Sequence, residues 1–285
     1  MYTNIIKTHD DLSLKVYPFN MVKPEMNIIF VHGYTDHSGR YQELRKRLNN
    51  HKISVVFYDQ RGYGQSEGRR AFVKDFNLYL KDLHLVVEKF FIPGIPNLLM
   101  GASMGGAIIS KYLIDYGENN IAGAVLLSPM LKISENVAPF LRKLSKFLAL
   151  VVPGLKTIRL ESDALSRDPR VVKAYEEDPL VYHGGAIVRT GVEFLKSIQY
   201  IQDNLAKITL PLLVMHGTAD RLTDPKGSSN FIENISTHDK MLLEYPGLFH
   251  ELLNEPEKEQ VYNDLFAWLR NRDRWLKADT GKEIA

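Results

Sequence analysis

The stretch Gly101-Ala102-Ser103-Met104-Gly105 decides the fold, because glycines two residues before and two residues after a serine suit a nucleophile on a tight strand-to-helix turn. A serine at such a turn takes a strained backbone conformation, and side chains at the flanking positions would collide with the neighbouring strand and helix. Residues 96–100 form a short apolar run of strand type, and residues 106–114 carry apolar side chains at helical spacing. This context favours a catalytic serine over a serine in a surface turn.

Short β-rich apolar runs recur along the chain and alternate with helical patterns. This alternation indicates a mostly parallel sheet covered by helices on both faces. Together with the serine motif, it predicts the α/β class and, within that class, the α/β-hydrolase fold. The predicted strands are 27–31, 53–58, 98–100, 122–127, 212–215 and 241–245, and the predicted helices are 40–48, 75–91, 107–115, 192–205 and 257–270.

One connection between predicted strands is much longer than the others. Residues 129–210 number 82, whereas a βαβ unit takes on the order of 30 residues. The surplus predicts a helical cap inserted at 130–187, with the hydrolase core formed by 1–129 and 188–285. Since ligands bind at the C-terminal ends of parallel strands, we expect the cap to cover the active site.

The first part of the predicted cap has the pattern of an amphipathic helix. Seven apolar residues recur at helical spacing between Val137 and Val151, and Arg142, Lys143 and Lys146 lie on the opposite face. Two interpretations stay open for the apolar stripe. It packs on the core, or it lines an acyl pocket or contacts a lipid surface.

A serine hydroxyl needs a general base, and that base needs an acid to orient it. In this fold the chain order is serine, then aspartate or glutamate, then histidine. Asp220 follows the predicted strand 212–215, with Asp224 a weaker candidate four residues later, and His250 lies in a loop before the last predicted helix. The predicted catalytic triad is therefore Ser103, Asp220 and His250.

The oxyanion of the reaction requires backbone N–H donors beside the serine. Such donors come from the residue after the nucleophile and from the loop after an early strand. In this chain those residues are Met104 and Tyr34, the latter in Val31-His32-Gly33-Tyr34 directly after a predicted strand. We expect their N–H groups to form the oxyanion hole.

Two other sequence patterns, a pair of histidines and a glycine-rich segment, do not predict a metal site or a nucleotide site. His32 and His37 are five residues apart without a third ligand at suitable spacing, so we interpret both as structural loop residues and predict no metal site. The glycine-rich segment 59–68 lacks the Lys-Ser/Thr pair of a P-loop, which argues against nucleotide binding.

Composition excludes further classes of function. The net charge of +2 comes from 36 basic and 34 acidic residues without long blocks of one sign, so no nucleic-acid partner is expected. The absence of cysteine excludes disulfides, thiolate metal sites and a cysteine nucleophile. No apolar run approaches the roughly 20 residues of a membrane span, and residues 1–18 lack the apolar region of a signal peptide. We therefore expect a cytoplasmic protein.

The ordered motifs together resemble the monoacylglycerol lipase family of α/β-hydrolases over nearly the whole chain to about residue 270. The motifs that carry the resemblance are His32-Gly33, His37-Ser38-Gly39-Arg40-Tyr41, residues 59–68, Gly101-Ala102-Ser103-Met104-Gly105-Gly106, Gly217-Thr218-Ala219-Asp220-Arg221 and Phe249-His250-Glu251. The resemblance implies a carboxylic-ester hydrolase without a cofactor that releases a fatty acid and glycerol through an acyl-serine intermediate. It also implies a cap with a long apolar acyl tunnel and a narrower polar end, and peripheral membrane contact through the cap.

Within the cap, residues 174–180 resemble the family segment whose tyrosine contacts the polar head of the substrate, which makes Tyr175 a candidate binding residue. A tyrosine that only packs within the cap is the alternative. Mammalian members carry a cysteine where this chain has Thr223, so their thiol sensitivity is not expected here.

Other functions stay open at this point. A lysophospholipase or a broad carboxylesterase would use the same triad, and a non-catalytic binding protein could share the fold. The sequence does not indicate acyl-chain preference or oligomeric state.

Overall fold

The computed structural model describes residues 4–132, 154–156 and 159–271. In these ranges eight strands form one sheet in the order β1-β2-β4-β3-β5-β6-β7-β8. β1 and β2 pair antiparallel, as do β2 and β4, and all other neighbours are parallel. The strands are β1 (Asn4–Lys7), β2 (Ser13–Phe19), β3 (Met26–Val31), β4 (Ile53–Tyr58), β5 (Asn97–Ala102), β6 (Gly123–Leu127), β7 (Leu212–Gly217) and β8 (Lys240–Tyr245). The predicted α/β fold with a mostly parallel sheet is confirmed.

Burial on both faces explains why four of the strands could be predicted from the sequence. Every residue of β3, β4, β6 and β7 is buried, as expected for parallel strands covered on both faces. In β2, by contrast, only Leu14 and Val16 are buried, and they alternate with partly exposed residues. β1 and β2 were absent from the prediction because a short edge hairpin carries too few apolar residues to form a continuous run.

The helices divide between the two faces of the sheet. α1 (Gln42–Asn50) and α7 (Lys258–Arg270) cover one face, where Leu44, Leu48 and Leu265 are buried. The other face is covered by α2 (Asn77–Phe90), α3 (Met104–Tyr116), α5 (Val188–Asp203) and α6 (Pro225–Asn234). Within the described ranges, none of the helices has both the length and the apolar character needed to cross a lipid bilayer.

The long connection between β6 and β7 contains the predicted cap. Its described part includes α4 (Pro169–Glu177), which Asp168 caps by accepting a hydrogen bond from the Arg170 N–H. The amphipathic pattern from Val137 to Val151 lies outside the described residues.

The described part of the predicted cap is bound to the loop that carries His250. The Glu251 N–H donates to the Leu165 carbonyl over 2.8 Å, and the Ser166 hydroxyl donates to the Asn254 carbonyl over 3.0 Å. This part of the insertion is therefore anchored beside the C-terminal ends of the strands.

Candidate active site

Ser103 lies on the turn between β5 and α3 with a backbone φ of +52° and ψ of −116°. A positive φ is strained for any residue with a side chain, so the surroundings must hold the turn in place. The Ser103 N–H donates to the Leu127 carbonyl over 2.9 Å, and the Ser103 carbonyl accepts from the N–H groups of Gly106 (2.9 Å) and Met130 (3.0 Å). These bonds hold the serine at the C-terminal end of β5, as the motif predicted.

The two motif glycines permit a close approach of β3, β5 and α3. A Cβ built on Gly105 would overlap the Val31 carbonyl oxygen and lie 2.7 Å from the carbonyl carbon. A Cβ on Gly101 would lie 2.7 Å from the Gly105 carbonyl carbon. Both neighbours are backbone atoms, so neither contact can be relieved by moving a side chain.

Gly105→Ala is therefore expected to destabilise the protein by roughly 1–3 kcal/mol, the usual range for overpacking a filled interior. Thermal unfolding followed by circular dichroism measures the effect. Gly33→Ala is a milder comparison, because the nearest atom to its Cβ would be the Ser103 Cβ at 3.3 Å. A Gly105→Ala variant as stable as the wild type would contradict the close approach.

The predicted acid and base are in direct contact. His250 Nδ1 lies 2.7 Å from Asp220 Oδ2, and both side chains are buried. Asp220 Oδ1 accepts from the N–H groups of Leu222 (2.8 Å) and Thr223 (3.1 Å), and the Thr223 hydroxyl donates to Oδ2 over 2.7 Å. The turn after β7 thus holds the carboxylate towards His250.

This contact sets the charge state of both groups. Burial alone would raise the pKa of Asp220, but His250 and His216 beside it hold that pKa well below its usual range. Burial likewise lowers the pKa of His250, but the adjacent Asp220 carboxylate outweighs burial and raises it. Asp220 therefore stays ionised, and His250 has the basicity that a general base needs.

Ser103, His250 and Tyr34 line a single cavity of about 1130 Å³, including its opening to solvent. A Cβ on Gly33 would lie 3.9 Å from Ser103 Oγ, so the loop carrying Tyr34 passes beside the serine. Met104 is the first residue of α3, where backbone N–H groups have no partner within the helix. The structure thus brings all five predicted catalytic and oxyanion residues to one place.

The cavity has an apolar wall and a polar end. The apolar side chains that line it come from the core and from the cap segment and include Leu127, Met130, Leu160, Leu165, Phe194 and Leu222. The polar end is lined by Thr35, Asp36, Arg40, Tyr41, Tyr175, Glu251 and Asn254. A molecule with an apolar tail and a polar head fits this division.

Tyr175 lies at the polar end and also packs there. Its hydroxyl is 2.7 Å from the Thr35 Oγ1, and the Arg40 guanidinium lies 4.9 Å from the centre of its ring. Burial raises the pKa of Tyr175 to about 12, so the phenol stays protonated and can donate a hydrogen bond. Both interpretations of this residue, cavity lining and cap packing, fit its position.

Arg40 is paired with two carboxylates that the sequence prediction did not include. It binds Glu251 through two hydrogen bonds of 2.7 and 2.9 Å and Asp36 through one of 3.2 Å. Burial opposes ionisation of Asp36, yet Arg40 keeps its pKa below the usual range. Their positions in the sequence are the signal that points to these two carboxylates, because Glu251 follows His250 directly and Asp36 is two residues after Tyr34.

His32 and His37 make hydrogen bonds within the loops around the site. His32 is fully buried. Its Nδ1 lies 2.9 Å from the Gly33 carbonyl oxygen, and its Nε2 accepts from the Gln60 N–H over 3.0 Å. His37 Nε2 lies 2.9 Å from Asp178, just after α4. In the part of the chain that the structure describes, no group of three His, Cys, Asp or Glu side chains is placed to hold a metal ion.

Comparison with known proteins agrees with this geometry. A family model described as "Serine aminopeptidase, S33" (Hydrolase_4) matches residues 22–257. The human monoglyceride lipase is 36% identical over 254 residues, covering 87% of this chain and 84% of that protein. The chain belongs to the monoacylglycerol lipase family of α/β-hydrolases.

Further relatives come from distant organisms. The monoacylglycerol lipase of Mycolicibacterium smegmatis is 34% identical over 248 residues, or 86% of this chain and 88% of that one. The crystal structure of Paleococcus ferrophilus monoacylglycerol lipase matches 90% of this chain and 98% of its own with a TM-score of 0.82 and 32% identity. The family resemblance predicted from the sequence is confirmed.

Proposed function

We propose that this chain is a serine ester hydrolase that cleaves monoacylglycerols into a fatty acid and glycerol. The observation that carries the proposal is the single cavity that joins an apolar wall, a strained serine, a histidine paired with a buried aspartate, and a polar end. The names of the family relatives support the same activity.

In the proposed mechanism, His250 Nε2 removes the Ser103 hydroxyl proton as Oγ attacks the ester carbonyl carbon. The N–H groups of Tyr34 and Met104 stabilise the oxyanion. The tetrahedral intermediate collapses as His250 returns the proton to the leaving glycerol oxygen, which leaves an acyl-Ser103 ester. His250 then deprotonates a water molecule that attacks this ester, and Ser103 recovers its proton when the fatty acid departs.

Asp220 supports each step through His250. Its carboxylate accepts the Nδ1–H hydrogen bond, so Nε2 is the nitrogen free to accept a proton. The negative charge also stabilises the imidazolium that forms in both halves of the reaction. No cofactor is needed in this scheme.

The polar end is proposed to bind the glycerol head group. Tyr175 and Thr35 supply hydroxyl groups, and Asn254 supplies an amide beside the same space. The acyl chain would then lie along the apolar wall, with the ester at Ser103. Residues 130–187 are proposed as the cap that closes this space, since Leu160, Leu165 and Tyr175 line it from above the strands.

The charges at the polar end favour a neutral head group over a phosphate. Two carboxylates, Asp36 and Glu251, face one cation, Arg40, whose guanidinium is engaged by both. At an effective dielectric of about 20, one unpaired negative charge repels another at roughly 8 Å by about 2 kcal/mol. A monoacylglycerol avoids this repulsion and a lysophospholipid does not.

We expect 1-oleoylglycerol to be hydrolysed with a kcat/KM at least about tenfold above that of 1-oleoyl-lysophosphatidylglycerol, which has the same acyl chain and an anionic head. Zwitterionic lysophosphatidylcholine should be intermediate. The release of oleic acid from each substrate at matched micelle concentration measures the order. Faster cleavage of either lysophospholipid would replace the monoacylglycerol proposal with the lysophospholipase alternative.

A peripheral membrane contact through the cap is also proposed. Leu155 is exposed at 41%, and the exposed Lys156 follows it directly. A Cβ on Gly154 would contact the Arg69 guanidinium, so a second cation lies beside the residue that precedes Leu155. Apolar and basic side chains side by side suit a lipid surface. The cytoplasmic location stays a prediction from the sequence.

A further inference from the structure

A second histidine contacts the acid of the proposed triad. His216 is the penultimate residue of β7, and its side chain is completely buried. Its Nε2 lies 3.1 Å from Asp220 Oδ2, and its Nδ1 lies 2.7 Å from the Ser228 hydroxyl in α6. The sequence does not predict this contact, because His216 lies outside the predicted strand 212–215 and belongs to none of the recognised motifs.

The hydrogen-bond network assigns the proton on this ring. Asp220 is ionised and can only accept, so His216 Nε2 carries the hydrogen and donates it to Oδ2. Nδ1 lies 2.7 Å from the Ser228 hydroxyl, a group that can both donate and accept. The Thr223 hydroxyl directs its own hydrogen to the same Oδ2 over 2.7 Å. The Asp220 carboxylate therefore keeps the hydrogen on Nε2, and the Ser228 hydroxyl holds the ring in the position from which Nε2 donates.

Ser228, His216 and Asp220 contact one another in the serine–histidine–aspartate arrangement of a catalytic triad, but they do not form a second reaction centre. Ser228 and His216 both have an exposure of 0%. No substrate carbonyl can reach the Ser228 hydroxyl, whose hydrogen bond runs into the core. Ser228 and His216 instead support the Asp220 carboxylate, which His216 contacts directly.

We propose that His216, held in place by Ser228, is a positioning residue that orients Asp220 and limits the share of its charge that acts on His250. The inference rests on the proposed function, in which Asp220 and His250 work together. Oδ2 has three side-chain donors, from His250, Thr223 and His216. Each donor besides His250 stabilises the carboxylate and weakens its pull on the imidazolium.

The charged groups around His250 determine the direction in which its pKa moves when the His216 donor is lost. Asp220 from the turn after β7, Glu251 from the same loop and Asp36 from the loop after β3 all favour the protonated ring. Loss of the His216 donor leaves more of the Asp220 charge directed at His250, so the pKa of His250 rises further. Because kcat/KM requires neutral His250, the acid limb of the pH profile moves to higher pH.

The test uses three variants of the full chain. His216→Leu removes the donor, His216→Gln offers an amide N–H in its place, and Ser228→Ala removes the hydrogen bond that holds the His216 ring. The kcat/KM for p-nitrophenyl butyrate is measured from pH 5 to 9, with thermal unfolding as a check on folding. For the wild type we expect an acid-limb midpoint above the ordinary imidazole value of about 6.5, since the pKa of His250 is raised.

For His216→Leu we expect this midpoint to rise by about half a pH unit or more and kcat to fall about tenfold, with KM unchanged. His216→Gln should return the midpoint to the wild-type value, and Ser228→Ala should fall between the two. If His216→Leu does not fold, the other two variants test the proposal. The acid-limb midpoint of Ser228→Ala must then lie above that of His216→Gln.

A midpoint that stays at the wild-type value in the folded variants, with activity reduced equally at every pH, would overturn the proposal and leave His216 a purely structural residue. Failure of the proposed function looks different. In that case Ser103→Ala retains activity, or wild-type turnover shows no acid limb at all.

Discussion

Replacing Ser103 with alanine is expected to lower ester turnover on the order of a million-fold, the scale seen when a triad nucleophile is removed. The variant cannot form the acyl-enzyme, and the remaining donors at Tyr34 and Met104 can only bind and polarise the ester. Hydrolysis of 1-oleoylglycerol and covalent labelling by a fluorophosphonate probe measure the loss. Both signals should disappear.

Ser110→Ala is the matched control for this substitution. Ser110 lies in the same helix, is fully buried and donates only to the Gly106 carbonyl over 2.8 Å. Its loss should leave labelling and turnover within about twofold of the wild type, since a single local hydrogen bond is removed. Labelling that survives in Ser103→Ala would mean that the nucleophile is another residue.

Asp220→Asn is expected to lower kcat about ten-thousand-fold, the size of effect found when the acid of a serine-protease triad is replaced by its amide. Asparagine has the shape of aspartate, but it cannot stabilise the imidazolium. It can also present an N–H to His250 Nδ1, which would place the remaining hydrogen on Nε2, the nitrogen that must accept from Ser103. Initial rates across pH 6 to 9 measure the change.

The Asp224→Asn variant tests which of the two candidate aspartates is the acid of the triad. Asp224 caps α6 by accepting from the Lys226 N–H over 3.0 Å and pairs with Lys132. Asparagine is also a good capping residue, so we expect a loss of stability below about 1 kcal/mol and no change in kcat. Loss of turnover in Asp224→Asn with activity kept in Asp220→Asn would reassign the acid.

The sequence was most informative where chemistry leaves a local pattern. The turn at Ser103 needs glycines at fixed offsets, and the candidate acid and base each follow a recognisable strand, so order along the chain selects Asp220 and His250 as the predicted partners of Ser103. The central strands could be predicted because burial on both faces demands continuous apolar runs. The hairpin of β1 and β2 left no such run and was missed.

The polar end of the cavity could not be derived from the sequence in the same way. Arg40 and Glu251 are 211 positions apart, and their ion pair exists only because two loops meet above the sheet. His216 stands within a buried strand, where a histidine gives no sign of its partner. Such contacts depend on the fold itself, so a local pattern cannot predict them.

The bonds between the cap segment and the loop of His250 limit how this enzyme can be re-engineered. The Leu165 carbonyl accepts from the residue after His250, and the buried carboxylate of Glu255 accepts from the N–H and the side chain of Arg167 as well as from the Phe249 N–H. The residues on both sides of His250 are therefore held in part by the connection between β6 and β7. A cap exchanged with that of another hydrolase would remove part of the support of His250, so residues 165–167 belong with the core in any chimera.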